Sequence, residues 1–125
     1  MRQQIEQSRI VAPGDIAIQA NTLGHSLETM PEGITAELVD IGRGTFEDYV
    51  GKDVRGKIIL TELSYSPARH EKQRIAGLHG AIGAVMMNWG GPENEAVPFG
   101  SVKPVWGNPT PQNVKDEMPT IPCIG

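Results

Sequence analysis

The sequence has little cysteine, few aromatic residues and no long apolar run. It contains one cysteine in 125 residues, so no disulfide can form within the chain. Aromatic residues make up only 5% of it. No apolar run approaches the ~20 residues that a membrane-spanning helix needs. Residues 1–6, MRQQIE, lack the apolar core of a signal peptide. We therefore expect neither a disulfide scaffold nor a membrane span.

Neither positive nor negative charge is present in large excess. The formal net charge is −4, and acidic and basic residues are interspersed along the chain. A nucleic-acid interface or an anionic membrane surface requires clustered Lys and Arg, and no such cluster occurs. We predict no nucleic-acid partner. The length predicts one domain over residues 1–125, large enough to bury a core, with residues 1–14 as a flexible or linker segment.

Glycine and proline are abundant, with 15 and 10 residues respectively. They predict tight turns and short elements and exclude a helical bundle. The alternating residues 15–20 and the apolar residues 34–41 predict strands. Thr45 and Asp48 have the spacing of a cap for one short helical turn. Seven prolines lie in residues 90–122 and forbid long regular elements there.

The C-terminal third should therefore be ordered but irregular. We expect one short strand near residues 102–105 and the start of another in the apolar residues 120–124.

The centre of the chain predicts a β-α-β unit over residues 57–88. Residues 57–63 are a short β-branched run that follows a turn, which is typical of a buried strand. Ser66 and Pro67 suit the first positions of a helix over residues 68–79, and Gly80 suits its left-handed end. A second apolar run, residues 81–88, forms the next strand.

One face of the predicted helix should pack on the sheet. The residues on that stripe are Ala68, Ile75, Ala76 and His79, and the residues expected to face water are Arg69, Glu71, Lys72, Gln73 and Arg74.

Catalytic motifs fail on chemical grounds. His70 begins a zincin-like pattern, but Arg74 occupies the second ligand position and a guanidinium does not coordinate zinc. The glycines of residues 77–83 end a helix, whereas phosphate-binding loops open one. We therefore predict no metal site and no nucleotide site. A self-contained small hydrolase that uses Ser26, His25 or Cys123 is the alternative that the sequence leaves open.

The β-α-β residues also resemble a known module. Gly56, Lys57, Ile58 and Ile59 followed by Gly80, Ala81, Gly83, Ala84, Val85 and Asn88 are similar to the core pattern of the protease-associated (PA) domain. Residues 36–42 and 52–56 resemble its lead-in. Residues 104–109 and 119–122 are most similar to the versions in M28-type zinc aminopeptidases and carboxypeptidases. The resemblance covers residues 34–125.

The resemblance implies an α/β fold of the swivelling β/β/α type, with a small mixed sheet and flanking short helices. It implies a non-catalytic domain that shapes substrate access or binds protein or peptide. The partners would be the parent peptidase domain and its substrate, with zinc held only in that separate domain. A stand-alone protein-binding PA module is a second alternative. Family members are often extracellular, periplasmic or lumenal, and the sequence leaves the compartment undetermined.

Two departures from the family pattern matter. Residues 61–66 replace the family's Arg-Gly-x-Cys-x-Phe loop, and the chain stops before the family's last strand and helix. We therefore expect a chain truncated from a larger peptidase, with an unpaired sheet edge that could support a homodimer.

The expected binding surface lies where the strands of the β-α-β unit end, as is usual in open α/β sheets. Its candidate residues are Ser64, Tyr65 and Ser66 after the first strand and Asn88, Trp89 and Gly90 after the second. Tyr65 and Trp89 suit recognition because they offer large amphipathic contact area. The alternative is that both rings simply cover the core.

Overall fold

The computed structural model describes residues 10–12, 16–18, 20–24, 26–89, 91–94, 96, 98, 100–102, 110–112 and 119–125. Across these ranges, none of the helices has the length and apolar character that crossing a bilayer demands. The candidate His25 and most of the predicted strand at residues 102–105 lie outside the described residues, as does the predicted flexible or linker segment at residues 1–14 except for residues 10–12.

Within the described residues, six strands and a central helix form an α/β fold. The strands are β1 (Ile10–Ala12), β2 (Ile16–Ile18), β3 (Leu38–Asp40), β4 (Ile58–Glu62), β5 (Gly83–Met87) and β6 (Cys123–Ile124), and α1 spans Arg69–Leu78. Strands β1 and β2 form an antiparallel pair, and β3-β4-β5-β6 form a second, four-stranded sheet. All three strand pairings in this second sheet are parallel, and an isolated antiparallel bridge joins Thr22 to Ile124 of β6.

The predicted β-α-β unit is confirmed, with ends one or two residues inside the expected ones. Along one face of the sheet Ile59 lies beside Ala84, which lies beside Cys123, and all three are buried. Helix α1 adds Ile75 and Ala76 to the same core cluster. Successive side chains of a strand point to opposite faces of the sheet, so every second residue of each strand lies on this face.

The C-terminus of α1 ends in a Schellman motif, as the glycine predicted. Gly80 has φ of 84°. Its N–H donates to the carbonyl of Gly77 at 3.0 Å, and the N–H of Ala81 donates to that of Ala76 at 3.1 Å. These two bonds satisfy carbonyls that the helix itself leaves unpaired, and they turn the chain directly into β5.

The N-terminus of α1 differs from the prediction. The cap residue is Ala68, and no side chain caps the helix, so Ser66 does not have the role that we expected. The hydroxyl of Ser64 donates to the Ser66 carbonyl at 3.0 Å. Ser66 therefore belongs to a compact turn that precedes the helix.

The short helical turn after β3 forms where expected. The 3₁₀ helix covers Glu47–Tyr49. The Asp48 carboxylate accepts hydrogen bonds from the Thr45 N–H at 3.0 Å and from its hydroxyl at 2.9 Å. The backbone bond from Thr45 is the largest cause that lowers the pKa of Asp48. The predicted strand over residues 34–41, by contrast, shortens to β3.

The outer edge of β6 is covered, contrary to the expectation of an unpaired edge on this side. Asn21 and Gly125 exchange two backbone hydrogen bonds of 2.8 Å each, and the Leu23 N–H donates to the Cys123 carbonyl at 3.2 Å. Residues 20–24 therefore pair with the end of the chain along this edge. The homodimer through an open edge stays a prediction.

A third chain segment joins this edge. Gly24 bridges Ser101 in the parallel sense, and the Val102 N–H donates to the Gly24 carbonyl at 3.0 Å. Val102 is buried in the core cluster. The proline-rich region thus contributes apolar packing at Val102 and, as predicted, the short strand β6 at its end. Strand β1 was not predicted.

Candidate functional site

Two loops meet at the edge of the sheet where β4 and β5 end. The first loop runs from Leu63 to Ala68, between β4 and α1, and the second follows Met87. The Leu63 N–H donates to the Met87 carbonyl at 2.8 Å, so the two loops leave the sheet side by side. Because parallel strands end on the same edge, this arrangement follows from the β-α-β unit itself.

Lys72 holds the first loop in place from inside the protein. Its side chain is only 1% exposed, and its ammonium donates to the Ser64 hydroxyl at 2.9 Å and to the backbone carbonyl of Arg43. Neither acceptor carries a charge. Burial therefore lowers the pKa of Lys72, and the negative charges of Glu62 and Asp48 partly oppose that shift. The ammonium ties the turn after β3 to the loop after β4.

Lys72 and its neighbour Gln73 correct the sequence analysis, which placed both in water. Both are buried. Position 72 falls on the helical stripe through Ala68, Ile75, Ala76 and His79, so the signal was present in the spacing. A lysine can occupy that stripe because its methylenes pack while its ammonium reaches the polar loops at the sheet edge.

Thr61 supports the same loop junction. It is fully buried, and its hydroxyl donates to the Gly42 carbonyl at 2.8 Å. Gly44, with φ of 82°, passes so close that a Cβ there would lie 3.1 Å from the Thr61 hydroxyl oxygen. The turn after β3 therefore has little freedom to move away from the end of β4.

Tyr65 and Trp89 project from the two loops and contact each other. Their ring centroids lie 5.1 Å apart with an interplanar angle of 72°, an edge-to-face arrangement. Tyr65 is 91% exposed and Trp89 is 51% exposed. The rings therefore do not cover the core, and the alternative that assigned them that role does not describe their position.

Asparagine side chains hold the second loop. The Asn88 carboxamide donates to the Ala96 carbonyl at 3.1 Å and accepts from the Trp89 N–H at 3.0 Å. Asn94 donates to the Trp89 carbonyl at 2.6 Å and accepts from the Ala96 N–H at 3.1 Å. Both of these hydrogen bonds join the Asn88 side chain to the backbone of its own loop, so Asn88 maintains the shape of this surface.

Charged side chains also occur in the two loops that carry the aromatic pair and at the strand end beside them. Glu62 ends β4 and lies 3.9 Å from the Arg43 guanidinium, with both side chains at least half exposed. The Glu93 carboxylate folds back against Gly91, two residues after Trp89, and this flexible side chain would have to shift to admit a Cβ there. Gly90, which we had included among the candidates, lies outside the described residues. Ser66 is exposed.

The candidate nucleophiles of the alternative hydrolase have structural partners. Cys123 is buried, and its backbone N–H donates to the Ser26 hydroxyl at 2.6 Å. That hydroxyl donates in turn to the Leu27 carbonyl at 2.9 Å. Burial raises the pKa of the Cys123 thiol to about 12. The Ser26 hydroxyl therefore bonds the backbone of Cys123 and not its thiol, and the thiol donates to the Ile121 carbonyl at 3.5 Å, an arrangement that anchors backbone instead of activating a nucleophile.

The zincin-like pattern is occupied by an ion pair. Arg74 contacts the Glu71 carboxylate through two hydrogen bonds of 3.0 and 2.9 Å on the surface of α1. Across the described part of the chain, no three His, Cys, Asp or Glu side chains come together as a metal site.

A shallow groove of about 630 Å³ lies at the other end of α1. Its side chains also have structural roles. The His79 ring stacks on Tyr49 with centroids 4.2 Å apart, and its Nδ1 lies 2.8 Å from the Ile75 carbonyl. Lys52 donates to the Asp40 carbonyl at 2.9 Å, and Asp53 accepts from the Arg55 N–H at 3.1 Å. We therefore place the candidate site at the aromatic edge.

Comparison with solved structures identifies proteins of the same fold. An aminopeptidase from Aneurinibacillus sp. strain AM-1 is 22% identical with a TM-score of 0.67, and the match covers 94% of this chain and 26% of that one. A zinc aminopeptidase from Bacillus subtilis matches in two structures. The first is 21% identical with a TM-score of 0.68, covering 94% of this chain and 25% of that one. The second, at medium resolution, is 24% identical with a TM-score of 0.69, covering 96% and 25%.

The chain therefore shares the fold of one part of these aminopeptidases and spans about a quarter of their length. No family model matches the sequence. No curated protein matches it either. At these identities the likeness concerns the fold, and the candidate site depends on the contacts described above.

Proposed function

We propose that this chain is a non-catalytic protease-associated domain of an M28-type zinc aminopeptidase. In this proposal the edge formed by the loops after β4 and β5 contacts peptide or protein. The solved aminopeptidases support it because the match covers nearly all of this chain but only a quarter of theirs. The zinc of such an enzyme would be held by a separate peptidase domain.

The exposed pair Tyr65–Trp89 is the observation that carries the proposal. Two large rings that stay exposed to water do not gain the free energy of burial. Hydrogen bonds from the side chains of Lys72, Asn88 and Asn94 hold the loops that carry them. A fixed loop reduces the entropy lost on binding, and Tyr and Trp are the side chains that most often dominate protein interfaces.

The first experiment replaces the pair in the full-length enzyme that carries this domain. We expect Tyr65→Ala with Trp89→Ala to lower kcat/KM severalfold for long peptides and to leave it unchanged for a single-residue chromogenic substrate. Val50→Ala is the matched control because Val50 is also exposed but belongs to the other end of the domain. Unchanged kcat/KM on both substrates, with the fold intact by circular dichroism, contradicts the substrate role.

The second experiment separates this proposal from its alternatives. We expect the 125-residue chain alone to hydrolyse neither aminopeptidase nor esterase substrates, with or without added zinc. Turnover that Ser26→Ala or Cys123→Ala abolishes would establish the small hydrolase instead. A gene that encodes no peptidase domain beside this one would favour the stand-alone binding module.

A further inference from the structure

The aromatic edge has acidic neighbours. Glu62 lies at the end of β4, and Glu93 lies against Gly91 in the loop that carries Trp89. The only basic side chain in described contact with these carboxylates is Arg43, which sits at the outer limit of ion pairing with Glu62. The buried ammonium of Lys72 also acts on Glu62, so Glu93 is the one of these two carboxylates that has no basic partner among the described residues.

The geometry of the pair leaves ring surface available. In an edge-to-face contact the rings stand nearly perpendicular, so each keeps at least one face clear of the other. The face of an aromatic ring carries negative electrostatic potential and attracts ammonium and guanidinium groups within about 6 Å of its centroid. Free faces and nearby carboxylates thus favour the same kind of ligand group.

We propose that this edge binds a basic segment of a peptide, with an Arg or Lys side chain lying on the Trp89 and Tyr65 faces and contacting Glu93. The inference deepens the proposed function, since it names the class of peptide that the same surface takes. Arg43 is a competitor in this arrangement because it already interacts with Glu62.

The test uses the 125-residue chain and two probes of equal shape. Acetyl-Gly-Arg-Gly-amide and its citrulline analogue differ only in the charge of one side chain. Binding is followed at low salt by the shift of the Trp89 indole N–H signal in NMR spectra, assigned with Trp89→Leu. We expect the arginine peptide to bind at least fivefold more tightly and to weaken as salt is added.

Variants then test each group. An exposed cation–π contact changes Kd about two- to fivefold, so Trp89→Leu and Tyr65→Leu should each weaken binding by that factor, whereas Tyr65→Phe should not. Glu93→Gln should weaken it and Arg43→Gln should strengthen it. Val50→Ala is the control. Equal affinity for both peptides, or weaker binding by Arg43→Gln, overturns the proposal, and so does a preference for an uncharged proline-rich peptide.

The failure of this inference is distinguishable from that of the proposed function. If the full-length enzyme loses activity on all long peptides when Tyr65 and Trp89 are replaced, whatever their charge, then the edge contacts substrate but does not select basic segments. If the chain binds the arginine peptide while that activity is unaffected, the basic-segment site stands and its role in the peptidase fails.

Discussion

The ammonium of Lys72 lies 2.9 Å from the Ser64 hydroxyl, inside the protein, at the junction of two loops. It is a buried positive charge whose described acceptors are a hydroxyl and a backbone carbonyl. Such a group loses much of its hydration on folding, and its two hydrogen bonds offset part of that loss while they hold the loop that presents Tyr65.

We expect Lys72→Met to lower the free energy of unfolding by about 1–3 kcal/mol, because the Arg43 carbonyl and the Ser64 hydroxyl would each lose a buried partner. Lys57→Met is the control, since Lys57 forms a half-exposed ion pair with Glu37 that is worth less than about 1 kcal/mol. Urea denaturation measures both. Equal losses for the two variants would show that the buried donor has no special role.

Tyr49 gives a prediction for alkaline pH. Its ring is buried against His79, and its hydroxyl has no hydrogen-bond partner among the residues that the structure describes. Burial, with the nearby charge of Asp48, raises the pKa of Tyr49 above its usual 10.0. The unfolded chain therefore loses this proton first, so the contribution of Tyr49 to stability is complete below about pH 10 and declines above it.

Tyr49→Phe isolates that effect. Near neutral pH we expect the variant to be as stable as the parent or up to about 1 kcal/mol more stable, because it removes an unsatisfied buried hydroxyl. Above pH 10 the stability difference should shift further in favour of the variant. The ionisation of Lys72 affects the stability of the parent and of the variant equally, so it cancels in the difference between them. A difference that stays constant from pH 7 to pH 11 would contradict the assignment.

Gly80 should tolerate no side chain. It has φ of 84°, and a Cβ there would lie 2.9 Å from the Cγ of Arg55. We expect Gly80→Ala to cost more than the ~1–2 kcal/mol of left-handed strain alone. Gly51→Ala is matched, since Gly51 has φ of 76° and open space around it. Thermal unfolding compares the two, and equal losses would show that Arg55 moves aside at no cost.

Cys123 should be inert in the folded protein. It is buried, and its thiol has a pKa of about 12, so almost no thiolate is exposed near neutral pH. We expect an aromatic disulfide reagent to modify it only after urea unfolds the chain. Stoichiometric labelling within seconds under native conditions would instead support the hydrolase alternative.

The sequence was sufficient for the elements whose signals are local. The β-branched residues of β4, the glycine that ends α1 and the Thr45–Asp48 cap each depend on a few neighbouring residues, and each appears where predicted. The position of Tyr65 and Trp89 on adjacent loops also followed, because parallel strands end on one edge. Whether these rings face water or the core could not follow, since it depends on segments distant in sequence.

Long-range contacts explain the errors. The spacing places Lys72 on the packed stripe of the helix, but nothing local shows that an ammonium there has acceptors, because Arg43 and Ser64 lie on separate loops that only the fold brings together. Ser66 looked like a helix cap because its type and its place before Pro67 suit one. The edge beyond β6 looked open because nothing local to residues 20–24 indicates that they pair with residues 123–125.

The pairing of Asn21 with Gly125 has a kinetic consequence. The β4-α1-β5 unit joins residues that are close along the chain, whereas this outer pair closes a loop that contains nearly the whole sequence. The entropy of closing so long a loop must be overcome before its contacts can stabilise anything. The central unit is therefore the part expected to form first during folding, and residues 20–24 and 123–125 complete the sheet together as a late step.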